Sequence, residues 1–106
     1  MPLCVINSCS KIGKGIIINT RSSIDHDNFL MDFCSIGPGV TTGGSVTIGK
    51  RTALGICSVI KNNITIGSDN VIGATSYVNK SINNNYVVYG TPAKIKRERN
   101  SDEKYL

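Results

Sequence analysis

One imidazole stands in this chain, His26, with a carboxylate on each side of it: Asp25 and Asp27, in the stretch SIDHDN from Ser23 to Asn28. Imidazole exchanges a proton near neutral pH, which suits it to take the proton of an attacking hydroxyl or amine. A neighbouring carboxylate fixes the ring tautomer and stabilises the imidazolium that forms, and either aspartate is close enough in sequence to do so. Acyl transfer from a thioester needs a third group, a backbone N–H that meets the developing oxyanion. A histidine between acids is also what a solvated surface turn contains, so the trio gains meaning only from its place in the fold. A single histidine excludes a three-histidine zinc centre. The four cysteines, Cys4, Cys9, Cys34 and Cys57, form no CxxC pair and no zinc spacing, and read as reduced thiols. Cys34 and Cys57 are expected to be buried apolar side chains and not nucleophiles.

The elements that position these groups follow from a six-residue repeat. Every sixth residue from Ile6 to Val78 is Ile, Leu or Val, with Thr42 the one exception. The next residue is Gly at 13, 37, 43, 49, 55, 67 and 73, and Asn or Asp at 7, 19, 25 and 79; only Met31 and Lys61 depart. The residue two before each aliphatic is mostly small or β-branched, as at Ser10, Ser22, Val40, Val46, Thr52, Ser58, Ile64 and Ser76. A period of six matches neither a helix nor an alternating strand. It matches a short strand and a corner, repeated, with one large side chain inward per flat and a positive-φ turn at the Gly, Asn or Asp that follows. Three flats make an eighteen-residue coil, and stacked coils bury a continuous aliphatic column. The predicted fold is therefore an all-β parallel β-helix of about four coils over residues 1–83. A closing strand near Tyr86–Tyr89 and a basic, partly helical tail after Pro92 occupy residues 84–106. The first hexad begins so early that the chain reads as N-terminally shortened, or as covered at that end by a partner.

Residues eighteen apart lie one above another, about 4.8 Å apart. His26 falls at a corner, and the file through it reads Ser8, His26, Gly44, Asn62, Lys80. Gly44 has no Cβ to block approach to the ring, so its N–H is the candidate oxyanion donor. A second corner carries Thr20, Pro38, Ile56 and Ala74.

Composition agrees with this picture. Fifteen Ile and eight Val against four Leu and no Trp favour strands. No apolar run reaches the roughly 20 residues that span a bilayer, and the N-terminus has no signal-peptide pattern, so a cytoplasmic location is expected. The formal charge of +5 is concentrated in AKIKRER, Ala93 to Arg99. That cluster suits a polyphosphate or a solvated tail; without interleaved aromatic residues it makes a poor nucleic-acid surface, and no nucleic-acid partner is expected.

The hexads, together with INTRSSIDHDNFLMDFCSIGPGVTTGGSVTIG and the closing VVYGTPAKIK, resemble the hexapeptide-repeat acyltransferases. Within these the chain is most similar to the sialic acid and bacillosamine-type sugar acetyltransferases. The resemblance covers about residues 3 to 96 and rests above all on the combination DHD, GG and GTPAK. It implies a left-handed coil, acetyl-CoA as donor, a sugar or sugar-nucleotide acceptor and a homotrimer with sites between neighbouring prisms. It favours Asp27 as the partner of His26 and implies that Ser35, Ile56 and Ala74 line the coenzyme groove. Ser35 stands where many relatives have a second histidine. Lys94, with Lys96 and Arg97, is placed to meet coenzyme phosphates. Relatives usually carry an N-terminal nucleotide-sugar-binding domain and one more coil, neither of which is expected here. The competing expectation is a catalytically incomplete or structural fragment of a longer acetyltransferase.

Overall fold

The computed structural model describes residues 5–6 and 9–99. Two-residue strands alternate with four-residue corners and stack into three parallel sheets, the faces of a triangular prism. One face holds β1 (Val5–Ile6), β4 (Ser23–Ile24), β7 (Thr41–Thr42), β10 (Val59–Ile60) and β13 (Tyr77–Val78). The second holds β2 (Lys11–Ile12), β5 (Phe29–Leu30), β8 (Thr47–Ile48) and β11 (Thr65–Ile66). The third begins with β3 (Ile17–Ile18), β6 (Ser35–Ile36), β9 (Ala53–Leu54) and β12 (Val71–Ile72) and ends with β14 (Tyr86–Gly90) and β15 (Ala93–Glu98). Residues eighteen apart are partners up to β13, as in Ile6↔Ile24, Leu30↔Ile48 and Ile36↔Leu54.

The second residue of each short strand points inward. Ile24, Leu30, Ile36, Ile48, Ile60, Ile66, Ile72 and Val78 form one column, none more than 1% exposed. Burying each such side chain contributes about 1.5–3 kcal/mol. In the first coil the corresponding residues Ile6 and Ile12 remain exposed. The residue before each strand fills the inside of a corner, and where it is polar it clamps two coils. Ser22 Oγ donates to Gly37 O at 2.9 Å, and Ser10 Oγ to Asp25 O at 2.9 Å.

Two local expectations are corrected. The positive φ falls not on the residue after the inward aliphatic but two further on, at every sixth position from Cys9 through Asp27 (φ 56°) to Thr75. Most of these residues are not glycine; stacking imposes the left-handed conformation on Arg21, Phe33 and Cys57 alike. The glycines after the aliphatics serve close approach. A Cβ at Gly55 would lie 2.7 Å from the Ala74 nitrogen and from the Ile72 carbonyl oxygen one coil up.

The second correction concerns the C-terminal segment, which contains no helix among the described residues. The last coil is two residues short, so Val88 pairs with Ile72 and Ile82 bridges Ile66. The chain then reverses at Thr91–Pro92, and β15 runs back antiparallel along β14, with Lys94 opposite Tyr89.

An ion pair braces one edge. Arg51 Nε and a terminal guanidinium nitrogen donate to the two Asp69 carboxylate oxygens at 2.8 and 3.0 Å, and Arg99 donates to the Asp69 carbonyl at 2.7 Å. The Arg51 hydrogen bond holds the Asp69 carboxyl below its usual value near 3.8. A depressed carboxylate stabilises the fold above the unfolded pKa and loses that contribution as pH falls through the folded one. Asp69→Asn is therefore expected to flatten the dependence of melting temperature on pH below about pH 4. The loss at neutral pH should stay within the roughly 0–1 kcal/mol typical of part-exposed pairs. Calorimetric melts of both proteins between pH 2 and 7 measure it.

Candidate functional site

The corner between the first and second faces carries the candidate base. β4 ends at Ile24; the chain turns through Asp25, His26 and Asp27 and enters β5 at Phe29. Because Asp27 takes a left-handed conformation, its carboxylate swings back, and Oδ2 lies 3.1 Å from His26 Nδ1. Asp25 acts differently, its Oδ1 accepting the His26 backbone N–H at 2.8 Å. Of the two aspartates it is thus Asp27 that touches the ring. With Nδ1–H donating to Asp27, Nε2 is left with its lone pair, and both side chains are 58% exposed.

Gly44 lies one coil above. A Cβ there would stand 2.6 Å from His26 Cε1 and 2.7 Å from Nε2, so the ring lies directly against the glycine and buries it. The stack is held by Ser45 N–H donating to His26 O (3.0 Å) and Asn63 N–H to Gly44 O (2.9 Å). The Gly44 N–H meets no acceptor among the described residues.

Ser35, Ile56 and Ala74 are not brought to His26 within one chain. Ser35 is half-buried in β6, on the face opposite the His26 corner. Ile56 and Ala74 are exposed on the corner between the third and first faces, joined by Thr75 N–H donating to Ile56 O at 2.7 Å. Lys94, in β15, lines an open cavity of about 410 Å³ between the last coil and the C-terminal hairpin. Lys80 lines it too, above an apolar floor of Ile82, Val88 and Ile95. Lys80 is the top of the His26 file, three coils or about 14 Å above the ring. The sequence places Lys80 in that file; it does not disclose the cavity, which exists because β15 folds back.

The three corners differ in character. One carries Lys14, Asp32, Lys50, Arg51 and Asp69; the corner with Ile56 has no charge above Arg21. Cys34 is fully buried, and burial pushes its thiol up to about 12. Cys57, contrary to expectation, is exposed, because its left-handed corner position points outward. Cys9, Cys34 and Cys57 are free thiols; Cys4 and Ser8 lie outside the described residues. Cys34 is expected to resist maleimide at neutral pH and to react only at the rate of unfolding, as peptide mass mapping with and without denaturant will show.

No family model matches the chain. Over a gapped alignment of 100 positions that takes in 85% of its length, the chain is 35% identical to serine acetyltransferase 4 of Arabidopsis thaliana, of which it covers 28%. It is 30% identical, over a gapped alignment of 111 positions, to galactoside O-acetyltransferase of Lactococcus lactis subsp. lactis, a match covering 86% of the chain and 54% of that relative. Among solved structures, a variant of GDP-perosamine N-acetyltransferase from Caulobacter crescentus, in complex with CoA and GDP-perosamine, matches with a TM-score of 0.82 at 29% identity. That match covers 92% of this chain and 55% of the other. The chain thus spans between about a quarter and just over half of the length of these relatives. Its repeat, its corners and these likenesses give the chain the fold of a left-handed parallel β-helix and make it similar to the hexapeptide-repeat acetyltransferases.

Proposed function

We propose that this chain is the β-helical part of an acetyltransferase that moves the acetyl group of acetyl-CoA to a hydroxyl or amino group of a sugar or sugar nucleotide. The observation that carries the reading is the contact of His26 Nδ1 with Asp27 Oδ2 at 3.1 Å, under a glycine that leaves room for the ring. His26 Nε2 takes the proton of the acceptor as its oxygen or nitrogen bonds to the thioester carbonyl carbon. The Gly44 N–H receives the oxyanion, which must come in past the imidazole edge because the ring buries the glycine. The tetrahedral adduct collapses, the C–S bond breaks, and the imidazolium returns its proton to the leaving thiolate. No covalent enzyme intermediate is formed.

Lys94 and Lys80, at the cavity above the His26 file, are suited to coenzyme phosphates. Three coils separate that cavity from the ring, a span that an extended pantetheine arm can bridge. Ser35, Ile56 and Ala74 join this groove only if a second protomer sets its Ile56 corner and the adjoining third face beside the His26 corner. Such a contact is heterologous, and closed into a ring of three it makes the homotrimer of this reading. The charged third corner then faces solvent. A cytoplasmic location belongs to the same reading, since acetyl-CoA is its donor.

A second acceptor class, the hydroxyl of serine, is favoured by one observation: the match to serine acetyltransferase 4 spans 85% of the chain. The test is transfer from acetyl-CoA to sugar nucleotides, galactosides and serine, followed by thiol release, on a sample whose mass in solution is measured. A particle of three times 11.4 kDa that acetylates a sugar supports the proposal. Transfer to serine alone replaces the acceptor. Coenzyme A binding with no transfer to any acceptor leaves the chain a catalytically incomplete β-helix.

A further inference from the structure

The aliphatic column is interrupted once above the first coil, and the interruption lies at the His26 corner. Thr42 is the one hydroxyl among the inward residues; it is 2% exposed, and its Oγ1 accepts the Asp25 N–H at 3.2 Å. Asn28, two residues after the base, is 1% exposed; Asn70, at the equivalent place before β12, is as deeply buried, but its Oδ1 accepts the Tyr86 N–H at 2.8 Å. The Asn28 Nδ2 donates to His26 O at 3.0 Å and to Gly43 O at 2.9 Å. Only the amide nitrogen can satisfy two carbonyls, which fixes the orientation of the side chain.

The Asn28 Oδ1 is buried with no partner among the described residues, an unfavourable state that packing alone does not require. Ser22 and Thr52, at equivalent corner positions, clamp neighbouring coils through Gly37 O and Gly67 O. Asn28 makes the same link and also grips the backbone of His26 itself. The two carbonyls it bridges belong to the base and to the residue before Gly44. They set how high, and at what tilt, the imidazole rides beneath the glycine.

We propose that Asn28 and Thr42 are positioning residues, a buried polar bracket that holds the His26 ring in register with Gly44. Its role in catalysis rests on His26 acting as the base. Because His26 is the only histidine, its ring signals in the uniformly labelled chain are unambiguous, and the tautomer of the neutral ring is read directly by NMR. The variants are Thr42→Val, which returns the column to its aliphatic type, and Asn28→Ser, which keeps a coil clamp of the Ser22 kind.

Both variants are expected to melt within about five degrees of the parent, since each uses a side chain already accommodated elsewhere in the repeat. The Nδ1–H tautomer of the parent is expected to give way to a mixture. Acetyl transfer should show kcat lowered by about tenfold to a hundredfold, with KM for acetyl-CoA unchanged, as misplacement of a catalytic group predicts. A lower melting temperature with tautomer and kcat unchanged marks the pair as merely structural and overturns the bracket. If the parent transfers acetyl to no acceptor, the catalytic reading fails separately. The tautomer comparison then decides alone, a mixture upholding the bracket and an unchanged spectrum overturning it.

Discussion

Replacing His26 by alanine is expected to lower acetyl transfer by about 10²- to 10⁴-fold, the range a positioned general base contributes, while the fold is kept. The imidazole is more than half exposed and its loss opens no cavity in the column, so the melting temperature should stay within about two degrees. Asp27→Asn should give a smaller loss, because it keeps an oxygen for Nδ1–H but removes the charge that stabilises the imidazolium. Gly44→Ala is the complementary change. Its methyl group would meet Cε1 and Nε2 at 2.6 and 2.7 Å, so the ring must swing off the glycine and transfer should fall without the base being removed. Steady-state kinetics beside circular-dichroism melts separate these effects. Equal activity of the parent and His26→Ala refutes base catalysis by this corner.

Gly49→Ala is expected to be among the most destabilising single methyl additions in the chain. The added carbon would overlap the Gly67 carbonyl and the Ser68 nitrogen, backbone atoms with no rotamer to swing away. The coils must part there, which strains the bonds from Gly49 N–H to Ile66 O (2.7 Å) and from Asp69 N–H to Lys50 O (2.9 Å). The cost should reach about 3 kcal/mol, the upper end for overpacking, and at this size that lowers the melting temperature by more than about 10 °C. A thermal melt unchanged by this variant shows that the glycine does not serve coil stacking.

The column was legible because a stacked coil has room for one kind of inward residue, a large aliphatic, and repeats that demand every six positions. The same arithmetic set His26 under Gly44. It fixed the period but not the conformation at the corner. Cys9, Arg21, Asp27, Phe33 and Ser45 share a left-handed backbone and no chemical character, so no residue type announced it. The glycines that did stand out answer to a backbone one coil above, a contact that exists only after folding. The hairpin of β14 and β15 was hidden for another reason. AKIKRE has the composition of a solvated tail, and as an outer strand most of its side chains do face water. The cavity with Lys80 and Lys94, the burial of Asn28 and the partner of Thr42 each need two segments far apart in sequence. Hexad arithmetic marked Thr42 as an exception without saying what its hydroxyl meets.

Left-handed corners occupied by ordinary residues separate two jobs that most turns combine. Neighbouring coils dictate the bend, so the residue at the bend is released from having to favour it and its side chain is open to any chemistry. A base, a cation or an aromatic ring can be exchanged there with little penalty to the prism. New reactivity in such a scaffold should therefore arise along its three edges, one substitution at a time, with the interior left untouched.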